Sequence, residues 1–357
     1  MSVLFALAMI SPVLYLVAVP FRFPRFTPPH FVFCAILLVS GGGCDLAQAQ
    51  AGIGTEEFPG LQIISAARPA GVAGAYTALA EGVSSIGINP AGLANEDAGQ
   101  YYSGSLRLHP DAADGGQVAY SRPFRKNARI ALSAAYLNYG TIPGRDESNQ
   151  AIGDLKPFSF YPSLTYAQSL GDRMTWGVSA KAALEDPGAF DGAHKALGAG
   201  ADAGIQYRPA RNLGLGASVV NLGPKLRGHS ADEAAGSGWL PGAFRGGAYY
   251  HPHGLERMSI ALDAEVPFQE TPAVALGYEY RFIPEWDIRA GTRWDYNDVR
   301  NLLGWLGAIQ SSELYGSALK AAAGTTLRMG RADVDYAVQW WNDLGFVHAL
   351  TVAWRVD

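Results

Sequence analysis

Cysteine is all but absent from this sequence: its two residues, Cys34 and Cys44, both lie before residue 50. A chain processed beyond that point carries no thiol, which excludes a disulfide scaffold and a cysteine-ligated metal site. Charge is also scarce, at 17% of residues, and its balance is acidic, with a net charge of −5. A nucleic-acid partner leaves a basic footprint, so none is expected. The spacings G-x-S-x-G, H-E-x-x-H and the P-loop do not occur, which removes support for the commonest hydrolase, metalloprotease and nucleotide sites. Gly198, Gly200 and Gly204 sit in a strand pattern with no helix after them, unlike a phosphate loop. His251-Pro-His253 has no third ligand nearby in sequence and reads as a solvated turn. No enzymatic activity, cofactor or metal is expected.

What the chain does have is 43 Gly, 17 Tyr and 8 Trp, with a mean hydropathy of only +0.03. A helical membrane protein is far more apolar. A transmembrane barrel has near-neutral hydropathy because lipid-facing and lumen-facing residues alternate and cancel.

The N-terminus reads as an address. Arg22 and Arg25 precede the apolar run from Phe31 to Val39, and a small-residue tail ends at Ala47-Gln-Ala49, the three parts of a secretory signal. Residues 1–49 are therefore assigned to targeting, with cleavage after Ala49 or Ala51. Loss of Arg22, Arg25 and Asp45 takes the net charge from −5 to −6. The apolar stretch from Met1 to Pro20 has no leading basic residue, as a start upstream of the true one, for instance at Val19, explains. The rival readings are a membrane anchor over 1–20 and lipidation at Cys44.

From residue 100 to the end the chain alternates with period two, the pattern of strands with two unlike faces. About fourteen strands are expected, over 100–109, 116–124, 128–140, 156–170, 174–185, 196–209, 213–224, 241–252, 259–269, 272–283, 286–296, 320–330, 332–343 and 346–357. Each approaches the ten residues that a tilted strand needs to cross a bilayer.

Charge sets the register. Asp287, Arg289, Arg293 and Asp295 share one face of their strand, while Ile288, Ala290, Thr292, Trp294 and Tyr296 share the other. An Arg facing lipid near the midplane costs about 2–4 kcal/mol, so the charges point inward. The preceding strand sorts the same way, with Glu279 and Arg281 inward, and Asp263 and Glu265 join them as a lumenal ladder of ion pairs. In the last strand Phe346, Leu350, Val352, Trp354 and Val356 oppose Thr351 and Arg355. Gly- and Ala-rich strands such as 196–204 allow close approach and imply a narrow, partly filled lumen.

The connections separate a barrel from a soluble sandwich. Short links at 125–127, 171–173, 210–212, 284–285 and 330–331 alternate with long ones at 141–155, 186–195, 225–240 and 297–319, as periplasmic turns and external loops do. Links near 253–258, 270–271 and 344–345 depart from the rule. Trp239, Tyr249, Tyr250, Trp286, Trp340 and Trp341 fall near strand ends, as interfacial girdles require.

Residues 66–95 contain Arg68, Gly71, Gly74 and Tyr76, then Asn89-Pro90-Ala91-Gly92. This segment closely resembles the N-terminal signature of the PorV/PorQ family of outer-membrane proteins, within the larger group of FadL-like fatty-acid channels. Asn221-Leu-Gly-Pro-Lys225, Gly277-Tyr-Glu-Tyr280, Arg289-Ala-Gly291, Asp335-Tyr-Ala337, Asp343-Leu-Gly345 and His348 match as well. The resemblance implies an all-β transmembrane antiparallel barrel of about fourteen strands over 100–357, with residues 50–99 folded into the lumen as a hatch. The residues themselves agree: Asn-Pro favours turn initiation, the glycines allow tight backbone packing, and a short helix is expected within Ala70 to Ala80. The chain ends Trp354-Arg-Val-Asp357 rather than in the aromatic residue common to barrels.

For function, the resemblance implies an accessory of type IX secretion in the outer membrane of a Gram-negative type bacterium. Its partners there are outer-membrane lipid, the C-terminal domains of exported cargo, and secretion and attachment components. The alternative is a FadL-like passive channel for hydrophobic small molecules.

Overall fold

The computed structural model describes residues 57–356, apart from 98, 110–112, 146–147, 189–193, 230–237, 306–320 and 343–344. The expected targeting segment over 1–49 and the first residues of the expected hatch lie outside the described residues.

Seventeen strands follow a short helical segment. They are β1 (Gln100–Leu108), β2 (Asp114–Arg125), β3 (Ala128–Asn138), β4 (Ile142–Arg145), β5 (Ala151–Leu155), β6 (Phe158–Leu170), β7 (Met174–Asp186), β8 (Ala196–Ala210) and β9 (Leu213–Leu222). Then come β10 (Lys225–Arg227), β11 (Ala243–Tyr250), β12 (Met258–Pro267), β13 (Ala273–Ile283), β14 (Trp286–Asp295), β15 (Ala321–Met329), β16 (Ala332–Trp340) and β17 (Phe346–Val356). Among the described residues there are two α-helices, α1 (Ala67–Gly71) and α2 (Tyr296–Trp305). Among the described residues no helix is long and apolar enough to cross a membrane.

Fourteen of the strands close into one antiparallel barrel. β1 pairs with both β2 and β17, and β8 pairs with β9, joining the two arms of the sheet. β4 and β5 form a separate hairpin inside the link from β3 to β6, and β10 adds to β8. The strand positions expected from alternation are those found, with ends that shift by up to three residues in either direction.

Alternation decides which way each side chain points. On β14, Asp287 and Arg289 are buried and Ile288 and Ala290 are exposed. On the outer wall Val118, Leu132 and Leu164 are each more than half exposed. A continuous band of large apolar side chains around a closed sheet fits lipid rather than water. Six links of two to seven residues lie at one end of the barrel; at the other, three links of five residues, 109–113, 268–272 and 341–345, stand beside four of nine or more. The short-turn end, which also receives the start of β1 and the end of β17, is the periplasmic end.

The inner wall has two different halves. From β1 to β7 it is rich in hydroxyls that pair across strands in direct register, Ser133 with Ser163 at 2.6 Å and Thr165 with Ser179 at 2.9 Å. From β11 to β16 it carries ion pairs, again between residues opposite in register, such as Arg245 with Glu265 and Arg289 with Glu279.

Candidate functional site

The lumen is filled by residues 57–99. Irregular backbone inside a barrel loses water and must find other partners for its N–H and C=O groups. The wall supplies them. Thr351 accepts from the Ala67 N–H at 2.9 Å, and Gln339 donates to the Ala70 carbonyl at 3.2 Å. Asp263 accepts from the N–H groups of Tyr76 and Thr77 at 3.0 and 2.6 Å. Gln206 donates to the carbonyls of Ala78 and Ala80 at 3.0 and 2.9 Å, and Ser218 to that of Ile88 at 2.6 Å.

The wall also makes room. Inward-facing glycines lie directly under the hatch: Gly177 and Gly204 beneath Pro90, Gly216 beneath Thr77, Gly277 and Gly291 beneath Val72, and Gly324 beneath Gly71. A Cβ at Gly177 would lie 2.5 Å from the Pro90 carbonyl carbon, and one at Gly291 2.6 Å from the Val72 oxygen. Real side chains do not approach so closely, so these positions need hydrogen where other residues carry Cβ.

The residues expected to form the hatch act in different ways. Arg68, on α1, reaches Glu279 at 3.2 Å and Glu81 at 2.6 Å and stacks over Tyr76. Tyr76 is fully buried, and burial pushes its phenol well above the ordinary range, so it stays neutral. Asn89 caps the 3₁₀ turn that begins at Pro90, its Oδ1 accepting from Ala91 N at 3.2 Å in the manner of a helix N-cap. A Cβ on Gly92 would meet the Ala80 carbonyl. The short helix lies over Ala67–Gly71, upstream of the expected Ala70 to Ala80. Ala73 at φ 53° and Gly74 at φ 84° turn the chain out of helical geometry, which corrects that expectation.

The charged residues divide into groups. Glu265 binds Arg245 at 3.0 Å and Arg293 at 2.7 Å. Glu279 binds Arg289 at 2.6 Å along with Arg68, and Arg289 continues to Asp335 at 3.3 Å. Asp287 pairs with Arg328 and, at 3.3 Å, with Arg281. Arg281 differs from the lumenal placement expected of it, because β13 ends at the periplasmic rim and leaves its side chain 57% exposed. Asp295 closes β14 and exchanges hydrogen bonds with Asp298, side chain to backbone N–H in both directions. That reciprocal arrangement is a capping box for α2, while Asp295 still acts on Arg293 of the ladder.

Sequence reasoning missed several partners. Glu185 accepts from the Phe58 N–H at 2.8 Å and from Tyr161 at 2.7 Å. Lys181 bridges Asp202 at 2.8 Å and Asn221 at 2.6 Å. Asn221 sits at φ 57° where the pairing of β8 with β9 shifts, a bulge that re-aims its side chain. Glu96 pins the end of the hatch through Arg129 at 2.6 Å and through Ser121. Lys181 and Asp202 occupy inward positions by alternation alone, so the same rule that placed Arg289 would have found them.

A cavity of about 80 Å³ remains between the hatch and the wall toward the external end. Ile63, Ile64, Ile86 and Ile88 face it from the hatch, and Ser133, Lys181 and Arg245 from the wall. The strand of chain from Glu57 to Ser65 covers it, with Phe58 fully buried among Leu137, Tyr161 and Leu240. Among the described residues, no group of three or more His, Cys, Asp or Glu is placed to hold a metal ion.

Known structures share this fold. A deletion mutant of the monoaromatic hydrocarbon channel TodX aligns with 82% of this chain and 99% of its own at a TM-score of 0.58 and 14% identity. The Ralstonia pickettii toluene transporter TbuX aligns with 82% and 98% at 0.56 and 12%. A Pseudomonas aeruginosa FadL homologue aligns with 82% and 98% at 0.50 and 12%. The chain has the FadL-like barrel fold of the outer membrane. No protein-family model matches it, and no curated protein matches it either.

Proposed function

We propose that this outer-membrane barrel is a FadL-like passive channel for small hydrophobic molecules, closed by its hatch. The observation that carries this reading is the cavity under the Glu57–Ser65 strap, apolar on its hatch side and polar on its wall side, inside a barrel whose structural neighbours include hydrocarbon channels. A cavity of about 150 Å³ with apolar walls is enough to hold benzene. The cavity here is about 80 Å³, so passage requires the strap or hatch to move. The test is uptake of a monoaromatic hydrocarbon by vesicles carrying the refolded barrel. Faster uptake than in protein-free vesicles is expected, and equal uptake removes the reading.

The alternative, an accessory of type IX secretion, is favoured by the PorV/PorQ-like residues 66–95 and by a lumen crossed by buried ion pairs. On that reading the long external loops dock exported C-terminal domains. Capture of such domains by the purified barrel, with no acceleration of uptake, would decide for it.

A further inference from the structure

The periplasmic end of this acidic protein carries an unbalanced basic sector. Its turns lie side by side because backbone bonds stitch them: Ser169 N–H to Asn127 O at 2.8 Å, Arg208 N–H to Arg173 O at 2.7 Å, and His251 N–H to Asn212 O at 2.9 Å. The first turn brings Arg122, Arg125 and Lys126, the next Arg173, the third Arg208 and Arg211, and the fourth Arg257. All seven are exposed, and none forms an ion pair among the described residues. Asp172 and Glu256 are the acids of these turns. At the external end Lys195 pairs with Asp186 and Lys225 with Glu57.

The sector adjoins the lipid-facing wall. Arg122 continues the outward row of Val118 and Tyr120, and Arg125 lies over the ring of the outward Phe124 at 5.4 Å. Phe124 contacts Tyr166 edge-on, and Tyr166 contacts Trp176. Aromatic rings mark the level of lipid head groups, and long basic side chains beside them reach the phosphates. Seven cations held side by side against two acids gain from an anion between them.

We propose that this sector, over the turns at 125–127, 171–173, 208–212 and 253–257, binds anionic phospholipid head groups of the periplasmic leaflet. It stands apart from the channel reading: of its cations only Arg208 touches the hatch, through Asn95 at 2.6 Å, and the test leaves Arg208 unchanged.

The test reconstitutes the full barrel in mixed phosphatidylcholine and phosphatidylglycerol nanodiscs and reads co-purifying lipid by native mass spectrometry. Enrichment of phosphatidylglycerol around the wild type is expected, decreasing as salt rises. Removal of each cation should lower that enrichment about fivefold, and the variant R122Q/R125Q/K126Q/R173Q/R211Q should show none. The external-loop variant R145Q serves as the control and should keep it, and heat-modifiable migration on a gel confirms that each protein is folded. A wild type without preference for phosphatidylglycerol overturns the proposal and leaves an acidic polypeptide as the occupant. Enrichment that survives in the five-fold variant overturns it as well.

Discussion

Asn89 of the hatch donates through its side-chain amide to the Ile205 carbonyl of the wall at 3.2 Å, and to Thr77 of its own segment at 2.8 Å. One fully buried side chain therefore holds two stretches of the hatch together and ties both to β8. Its Oδ1 adds the cap on Ala91.

Asn89→Ala should remove all three bonds at once. A lost cap costs about 1 kcal/mol, and buried acceptors left without donors cost about 1–3 kcal/mol more. Urea unfolding of the refolded protein should show a loss of about 3 kcal/mol. Asn89→Asp keeps the cap but sets a buried carboxylate oxygen against the Thr77 and Ile205 carbonyls and should lose at least as much; an unchanged midpoint for Asn89→Ala would refute the role.

Gly291→Val tests the seat of the hatch rather than its bonds. The new side chain meets the Val72 backbone, and backbone yields less readily than a side chain, so the hatch must shift. Overpacking costs about 1–3 kcal/mol. Because β14 keeps all its cross-strand bonds, the barrel should still form while residues 57–99 become open to limited proteolysis. Resistance equal to that of the wild type would mean that the wall absorbs the clash.

The barrel was legible in the sequence because lipid punishes any charge on its outer face, so Asp287, Arg289 and Glu279 revealed the register of their strands without a structure. The hatch was legible only as a segment. Which wall residues receive it depends on Gly177, Gly204 and Gly291 standing opposite Pro90 and Val72, and a glycine in a strand does not announce its distant neighbour. The early end of α1 was hidden for a related reason: Ala73 takes a left-handed conformation that alanine rarely adopts, and tertiary packing imposes it. Alternation places Asp295 in the lumen but gives no sign that its carboxylate also caps the first turn of α2.

Glu279→Gln examines the charged half of the lumen. Arg289 has a side chain only 1% exposed and relies on Glu279 at 2.6 Å, with Asp335 at 3.3 Å in support. Removing one member of a buried pair costs about 3–5 kcal/mol; the support from Asp335 should hold the loss near 3 kcal/mol. In a double-mutant cycle with Arg289→Met, the paired variant should recover part of that loss. Strict additivity would show that the two residues do not couple.

Phe58→Ala bears on how the closed state opens. Phe58 fixes the strap over the cavity by filling the space among Leu137, Tyr161 and Leu240, and its N–H is held by Glu185 at 2.8 Å. Truncating a buried phenylalanine costs about 3–5 kcal/mol. Here the cost falls on strap docking and not on the barrel, whose strand pairing does not involve residue 58. At about 1.4 kcal/mol per tenfold, the population with the strap released should rise by roughly 10²–10³. Amide exchange at residues 59–64 should quicken accordingly, with barrel strands unaffected, and hydrocarbon uptake by vesicles should increase. Faster exchange with unchanged uptake would show that the strap covers the cavity without controlling the path through it.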